Sequence, residues 1–321
     1  MRTAYLSALG TMGRRHLKGL ARGGFKVFAY DPNPAAYVTA RSDLAQSGLP
    51  EDCFCSDSAL PEFVDVAIFA ETTTARLENF RNFLSRTRVD RVLLEKPITA
   101  NPDEHEMFLG LATAHGIVDR TQVNFIRRTW PHVRQLTELC SREKQFSMTL
   151  NGGAIGLGCM GIHYLDTFLC MSGEEIPSVR FASLSDEMVK SGRGLHFEDF
   201  GGDFVLEGPR GRLLASLCAG SSANVVMSVR GEHFIAQVDY GDMNWKISRR
   251  KYESTEPFYR YGADYEIVEQ GSLEISAMDA VTEAWAAQQI QLPRLDQSLV
   301  THRLLDEILR FGGAIPPYRF T

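Results

Sequence analysis

At 321 residues, with 44% hydrophobic and 23% charged side chains, the chain has the composition of a globular protein rather than a disordered or fibrous one. A length of about 150 residues per domain predicts two domains. A formal net charge of −6 without a dense Lys/Arg block argues against nucleic acid as a partner; no apolar run is long enough to span a bilayer and the amino end lacks a signal-peptide core, so a cytoplasmic protein with no membrane partner is expected.

Residues 4–9, 26–30, 64–70 and 91–96 are short apolar runs, each followed by a stretch with helical periodicity or a helix-start signal. The clearest start is at 101–102, where Asn101 can cap and Pro102 suits a first helical turn. A βαβαβ succession of this kind predicts a parallel, doubly wound sheet. Beyond "TQVNFIRR" the pattern changes to alternating strands joined by Gly-containing turns such as "EGPRGR" and "DYGDMN", which predicts an antiparallel sheet. Helices are expected over 162–170, within 278–290 and over 295–311. The division falls at 1–123 for a dinucleotide-binding domain and 124–321 for a substrate-binding and oligomerisation domain.

"ALGTMG", Ala8 to Gly13, follows the first run and opens a helix, the context in which a GxGxxG pattern has meaning. Ala8 stands at the first glycine position. Gly10 lets the backbone approach a pyrophosphate, Thr11 and Met12 open the helix whose N–H groups face the anion, and Gly13 lets helix and strand pack closely. Asp31, 18 residues after Gly13, is placed to bind a ribose hydroxyl, and its charge would repel a 2′-phosphate; NAD is therefore expected over NADP. The plainer reading of Asp31 is a turn and cap residue in "DPNP".

"EKPIT" ends the run at 91–96, on the edge where doubly wound folds hold ligands. The Lys96 ammonium can polarise a substrate oxygen, and Pro97 is a position for an extended or cis bond. A surface Glu95–Lys96 pair is the bland alternative. Further on, "NGGAIGLGCMGIHYLD" sets five glycines around His163 and Asp166, with Cys159 four positions before the histidine.

Together "ALGTMGRRHL", "YDPNP", "EKPIT", "VNFIRRTWP" and "GIHYLD" resemble the glucose-fructose oxidoreductase/inositol dehydrogenase (Gfo/Idh/MocA) family over nearly the whole chain. The resemblance implies an N-terminal Rossmann domain, a C-terminal α/β domain on a large, mostly antiparallel sheet, and nicotinamide-dependent oxidation or reduction of sugars and polyols by a homo-dimer or homo-tetramer. It makes Lys96 and His163 the catalytic pair and adds Glu95 and Lys96 to the cofactor site. The first aspartate of the family's "DxGxHxxD" signature falls on Cys159, and a thiol with an ordinary pKa near 8.5 holds no permanent charge at neutral pH. Two readings follow. Either His163 alone accepts the proton while Lys96 stabilises the alkoxide and Cys159 shapes the pocket, or the relay is broken and the protein binds nucleotide without turnover. An enzyme using tightly held NAD for transient oxidation during elimination or epimerisation is a further alternative.

Asp166 and His163 share one helix face, so Asp166 can meet substrate hydroxyls, hold the imidazole, or pair with an arginine. Tyr164 is placed inward or at the pocket edge. Arg127 and Arg128 suit a phosphate or carboxylate, which makes a phosphorylated or nucleotide-linked sugar a substrate class; the alternative is a surface pair facing the acidic "DEHE". "STEPFYRYGADY" is read as an interface or packing loop. Neither the remaining histidines nor the scattered cysteines (Cys53, Cys55, Cys140, Cys159, Cys170, Cys218) have metal-ligand spacing, so no metal is expected and reduced thiols are the default.

Overall fold

The computed structural model describes residues 1–153, 155–173, 176–190, 196–217, 220–251, 254–257, 260, 264–275 and 277–320. In the first half β1 (Thr3–Ser7), α1 (Thr11–Arg22), β2 (Lys26–Tyr30), α2 (Pro34–Gln46), β3 (Phe54–Ser56), β4 (Phe63–Phe69), α3 (Arg76–Arg86), β5 (Arg88–Leu94), α4 (His105–Ala114) and β6 (Thr121–Val123) alternate. The strands form one parallel sheet in the order β3-β2-β1-β4-β5-β6. This is the doubly wound order, whose direction reverses between β1 and β4 and opens a crevice at their carboxyl ends. Strands β1, β4 and β5 are apolar and buried because helices cover both faces of the sheet.

The second half runs α5 (Pro131–Arg142), β7 (Phe146–Gly152), α6 (Ile162–Ser172), β8 (Ser178–Leu184), β9 (Val189–Lys190), β10 (Glu198–Asp199), β11 (Gly202–Glu207), β12 (Gly211–Leu217), β13 (Val226–Arg230), β14 (Phe234–Asp239), β15 (Asn244–Arg250), β16 (Tyr265–Ser272), α7 (Met278–Ala286) and α8 (Leu295–Phe311). Eight strands make a second sheet, β16-β15-β14-β13-β7-β12-β11-β8, antiparallel except where β7 meets β12. Its strands alternate in burial, most cleanly in β12, so one face packs under helices and the other is open. The fold is therefore α/β, with the two sheets expected from the sequence.

Three details differ from the sequence reading. Strand β16 was not expected, because its residues are exposed almost throughout and carry no alternating apolar signal. The tract at 91–96 leaves the strand at Leu94, so Glu95 and Lys96 stand beyond its end. The chain after residue 123 is also not confined to the second half. Helix α7 returns to pack on α1, where a Cβ on Gly19 would lie 2.4 Å from the Asp279 carbonyl oxygen, and Trp285 joins the core formed by Leu6, Leu17 and Ile68. Phe258, Tyr259 and Tyr261 of the aromatic loop, and Cys218, lie outside the described residues. A larger core runs from Phe69, Phe80 and Leu94 through Phe125 into Leu165, Phe168 and Leu213, joining the halves behind the crevice.

Candidate functional site

The turn after β1 is built as the glycine pattern demands. Ala8 has φ +73°, a left-handed conformation that strains any residue with a Cβ, and its N–H donates to the Tyr30 carbonyl at 2.7 Å. Gly13 cannot be replaced without movement, since an added Cβ would sit 1.9 Å from the Ala8 oxygen. Gly10 starts α1 with no side-chain cap and with open space where a Cβ would be, so the N–H groups of the first helical turn are left for a ligand. A cavity of about 430 Å³ opens there, lined by Ala8, Gly10, Thr11, Met12 and Asp31, and by Glu71 and Asn79 across the crevice. Asp31 is both a wall of that cavity and a brace for the loop. It accepts the Leu9 N–H at 2.7 Å and the Asn33 N–H at 2.8 Å.

Glu95 and Lys96 do not line this cavity. One Glu95 oxygen accepts from Asn124 Nδ2 at 2.6 Å and lies 2.9 Å from His16 Nε2; the other nitrogen of His16 reaches Thr282 Oγ1 in α7 at 2.8 Å. Burial pushes this carboxyl up, but the hydrogen bonds and charges of His16, Lys96 and Asn124 outweigh it and hold it down at about 2. Arg76, buried at the start of α3, donates to the Glu95 carbonyl at 2.7 Å and the Ile98 carbonyl at 2.9 Å, and also to Pro97 and Glu71 carbonyls. The Lys96–Pro97 bond is cis. These contacts fix the turn that carries Lys96.

Lys96 Nζ donates to the Cys159 carbonyl at 2.6 Å. Cys159 lies in a π-helical turn, Leu157–Gly161, that runs directly into α6; such wide turns expose backbone groups that a regular helix would pair. The opposite side of that turn is held by Asp199 at the end of β10. Its carboxylate accepts the N–H of Gly158 at 2.8 Å, of Cys159 at 2.7 Å and of Phe200 at 2.8 Å. Gly156 is required there, because a Cβ would fall 1.9 Å from an Asp199 oxygen. Burial raises the Asp199 pKa against the opposing pull of these three N–H groups and of the Lys96 charge. A carboxylate from a distant strand thus holds the backbone of the turn that carries Cys159.

His163 is buried at the first turn of α6, with its ring edge-on to Phe125. Burial first, then the charges of Lys96 and Arg127, depress its pKa well below 6.5, so the imidazole is neutral at physiological pH. Its Nδ1 has no hydrogen-bond partner among the described residues.

The remaining sequence candidates form a packed cluster next to this pair. Asp166 neither holds the imidazole nor is left open: its two oxygens take Arg128 Nε at 2.9 Å and Nη2 at 2.7 Å, a bidentate ion pair. Arg127 is buried, its guanidinium 3.9 Å over the Tyr164 ring and 5.3 Å from the rings of Trp130 and Tyr240. Neither arginine faces "DEHE", whose Glu106 pairs with Arg303 instead. One cluster of possible metal ligands, Glu143, Glu232 and His233, does assemble in the fold, but two of the three are exposed and Glu143 already caps the Glu232 N–H at 2.8 Å.

Asp199, Glu71, Arg76, His16 and Asn124 were not anticipated. The acid of "HFEDFGG" is indistinguishable in sequence from ordinary turn chemistry, and the others act on partners far along the chain.

No protein-family model matches the sequence, and no curated protein matches it. Solved structures do. The chain is similar over 98% of its length to UDP-N-acetylglucosamine 3-dehydrogenase GnnA from Acidithiobacillus ferrooxidans, at 18% identity and a TM-score of 0.69, covering 99% of that chain. The two chains share one fold. An oxidoreductase from Agrobacterium radiobacter in complex with NAD+, L-tartaric acid and magnesium gives a TM-score of 0.72 at 11% identity, over 97% of this chain and 96% of that one. The super-repressor mutant of Gal80p from Saccharomyces cerevisiae gives 0.71 at 14%, over 97% and 95%. At these identities the likeness bears on the fold, where it agrees with the resemblance carried by the motifs, and the same fold serves both dehydrogenases and a repressor. No helix among the described residues is long and apolar enough to cross a membrane.

Proposed function

We propose that this protein is an NAD-dependent oxidoreductase that moves hydride between a nicotinamide and a sugar or sugar derivative. The observation that carries the reading is an uncapped helix start in a ligand-sized cavity at the carboxyl edge of a parallel sheet; a lysine just beyond β5 and a neutral imidazole four residues past the carbonyl that this lysine holds support the proton chemistry. The left-handed Ala8 and the irreplaceable Gly13 support a dinucleotide as the cavity's ligand, because they make the tight turn and the close helix–strand packing that leave Gly10 free to approach a phosphate. Gly10, Thr11 and Met12 would hold its phosphates and Asp31 a ribose hydroxyl. When bound, the nicotinamide supplies the hydride acceptor or donor.

The chain's own residues carry the proton. Lys96 Nζ, now on the Cys159 carbonyl, donates to the substrate oxygen and stabilises the charge that grows on it. His163, a neutral imidazole, takes the hydroxyl proton as the C–H bond breaks and the carbonyl forms, and returns it in the reverse direction. Arg127 Nη1, buried without a hydrogen-bond partner, supports an anionic substrate such as a phosphorylated or nucleotide-linked sugar. The outer face of the large sheet carries Phe181, Val205 and Leu214 side by side across three strands, which supports assembly as a homo-dimer or homo-tetramer on that face.

The test is a panel of sugars, sugar phosphates and nucleotide sugars with NAD, followed by absorbance of the reduced nicotinamide. Turnover that disappears in His163→Ala supports the reading. A flat trace across the panel, with NAD bound, moves the protein to the internal-redox or regulatory class instead. Binding titrations of both dinucleotides to Asp31→Ala should lower the ratio of NAD to NADP affinity; an unchanged ratio removes Asp31 from the ribose site.

A further inference from the structure

Two carboxylates line the nucleotide cavity, and they are in opposite states. Asp31 is exposed enough to meet water and has an N–H on each oxygen. Glu71, just past β4, is 7% exposed; its buried oxygens make no hydrogen bond of good geometry among the described residues, although the Ser7 and Asn79 side chains lie close enough to favour its charged form. It sits against the phosphate loop: the Ala70 N–H donates to the Ser7 carbonyl at 3.0 Å, and the Cβ position of Gly13 is 3.9 Å from the Ala70 Cβ. A carboxylate this buried and this weakly held is unfavourable unless it gains a stronger donor or a proton.

We propose that Glu71 meets the nucleotide as a neutral carboxylic acid, donating its proton to a phosphate oxygen, so that the anionic ligand enters the cavity together with a proton. The inference rests on the cavity being a dinucleotide site. Two negative charges of a pyrophosphate held at Gly10–Met12 disfavour a third on Glu71, and the protonated form turns a repulsive neighbour into a hydrogen-bond donor. The groups facing Glu71 permit this. Tyr5 and Ser7 come from β1, Asn79 and Arg76 from α3, and Asp31 from beyond β2. The guanidinium of Arg76 is the one cation among them, and it is hydrogen-bonded to carbonyls of Glu71, Glu95, Pro97 and Ile98. Burial raises the Glu71 pKa to about 7 against Arg76, Asn79 and Ser7, so the proton is exchangeable near neutrality before any ligand arrives.

The sign follows. A ligand that raises the pKa of Glu71 binds with proton uptake, and its affinity falls as pH rises above about 7 and is flat well below it. The experiment is calorimetric titration of NAD into the whole protein just above neutral pH, in HEPES and in Tris, whose ionisation heats differ. Wild type should take up a proton fraction approaching one per nucleotide, and its affinity should drop by up to about tenfold per pH unit above neutrality. Glu71→Gln should bind NAD with no proton uptake and a flat pH dependence. Proton release, no proton exchange, or the same uptake in Glu71→Gln overturns the role of Glu71 while leaving the nucleotide site standing. If the variant misfolds, the wild-type proton count still decides. No binding of NAD at all would instead remove the dinucleotide reading of the cavity, and this inference with it.

Discussion

Two turns, one after β1 and one before α6, are shaped by different means. The Ala8–Gly13 turn is shaped by its own backbone, with one residue in a left-handed conformation and one glycine pressed against its carbonyl. The Gly156–His163 turn is shaped by side chains from elsewhere: Asp199 holds its N–H groups and Lys96 its carbonyl. The first turn depends on what a single residue can adopt, the second on charges brought together by segments distant in the chain. A local backbone requirement tolerates little substitution, whereas a charge arrangement admits a carboxylate arriving from another strand.

The largest effect expected from breaking the second turn is chemical. Lys96→Ala or His163→Ala should lower kcat about 10²- to 10⁴-fold with NAD affinity kept, as initial rates and a binding titration will read. Next in size is the first turn. Gly13→Val should destabilise the protein by about 1–3 kcal/mol and abolish nucleotide binding, since the added Cβ meets backbone and not a movable side chain. Thermal unfolding and the same titration check it.

Asp199→Asn leaves the shape and sets an amide N–H₂ against backbone donors, with an expected loss of about 1–3 kcal/mol. Because the lesion lies on the Lys96 side of the crevice, kcat should fall while the NAD dissociation constant does not change; an equal loss in both would make Asp199 a general support for the fold. A finer test separates charge from shape. His163 has a depressed pKa, so its base form persists above that value and the acid limb of kcat/KM should lie below pH 6.5. Lys96→Met removes one depressing charge, and nitrogen NMR should show the ring titrating at higher pH; no movement would place the ammonium too far from the imidazole to act on it. Smallest of all, Ala8→Gly relieves a left-handed alanine, worth about 1–2 kcal/mol of strain but partly offset by glycine entropy, and should leave stability equal or slightly raised.

Much of the architecture was legible. Helix α8 has the bounds read from periodicity alone, and the parallel order of the first sheet follows from the alternation of apolar runs with helical stretches. Strand β16 was not legible, because an exposed edge strand needs no apolar alternation. Ala8, Gly10 and Gly13 could be placed because their spacing is itself the geometry. Asp166 and Arg128 were both found as polar residues of interest, yet nothing in their spacing says that they bind each other.

The sequence by itself determined most of the elements, the glycine-spaced turn after β1, and the lysine and histidine offered for proton transfer, since these rest on periodicity, backbone preference and side-chain chemistry within short windows. Only the tertiary structure decided which carboxylates matter. Asp199 comes to Cys159 across 40 residues and Glu71 is buried beside the turn after β1, because burial and the supply of donors at a point in space depend on every segment that packs there.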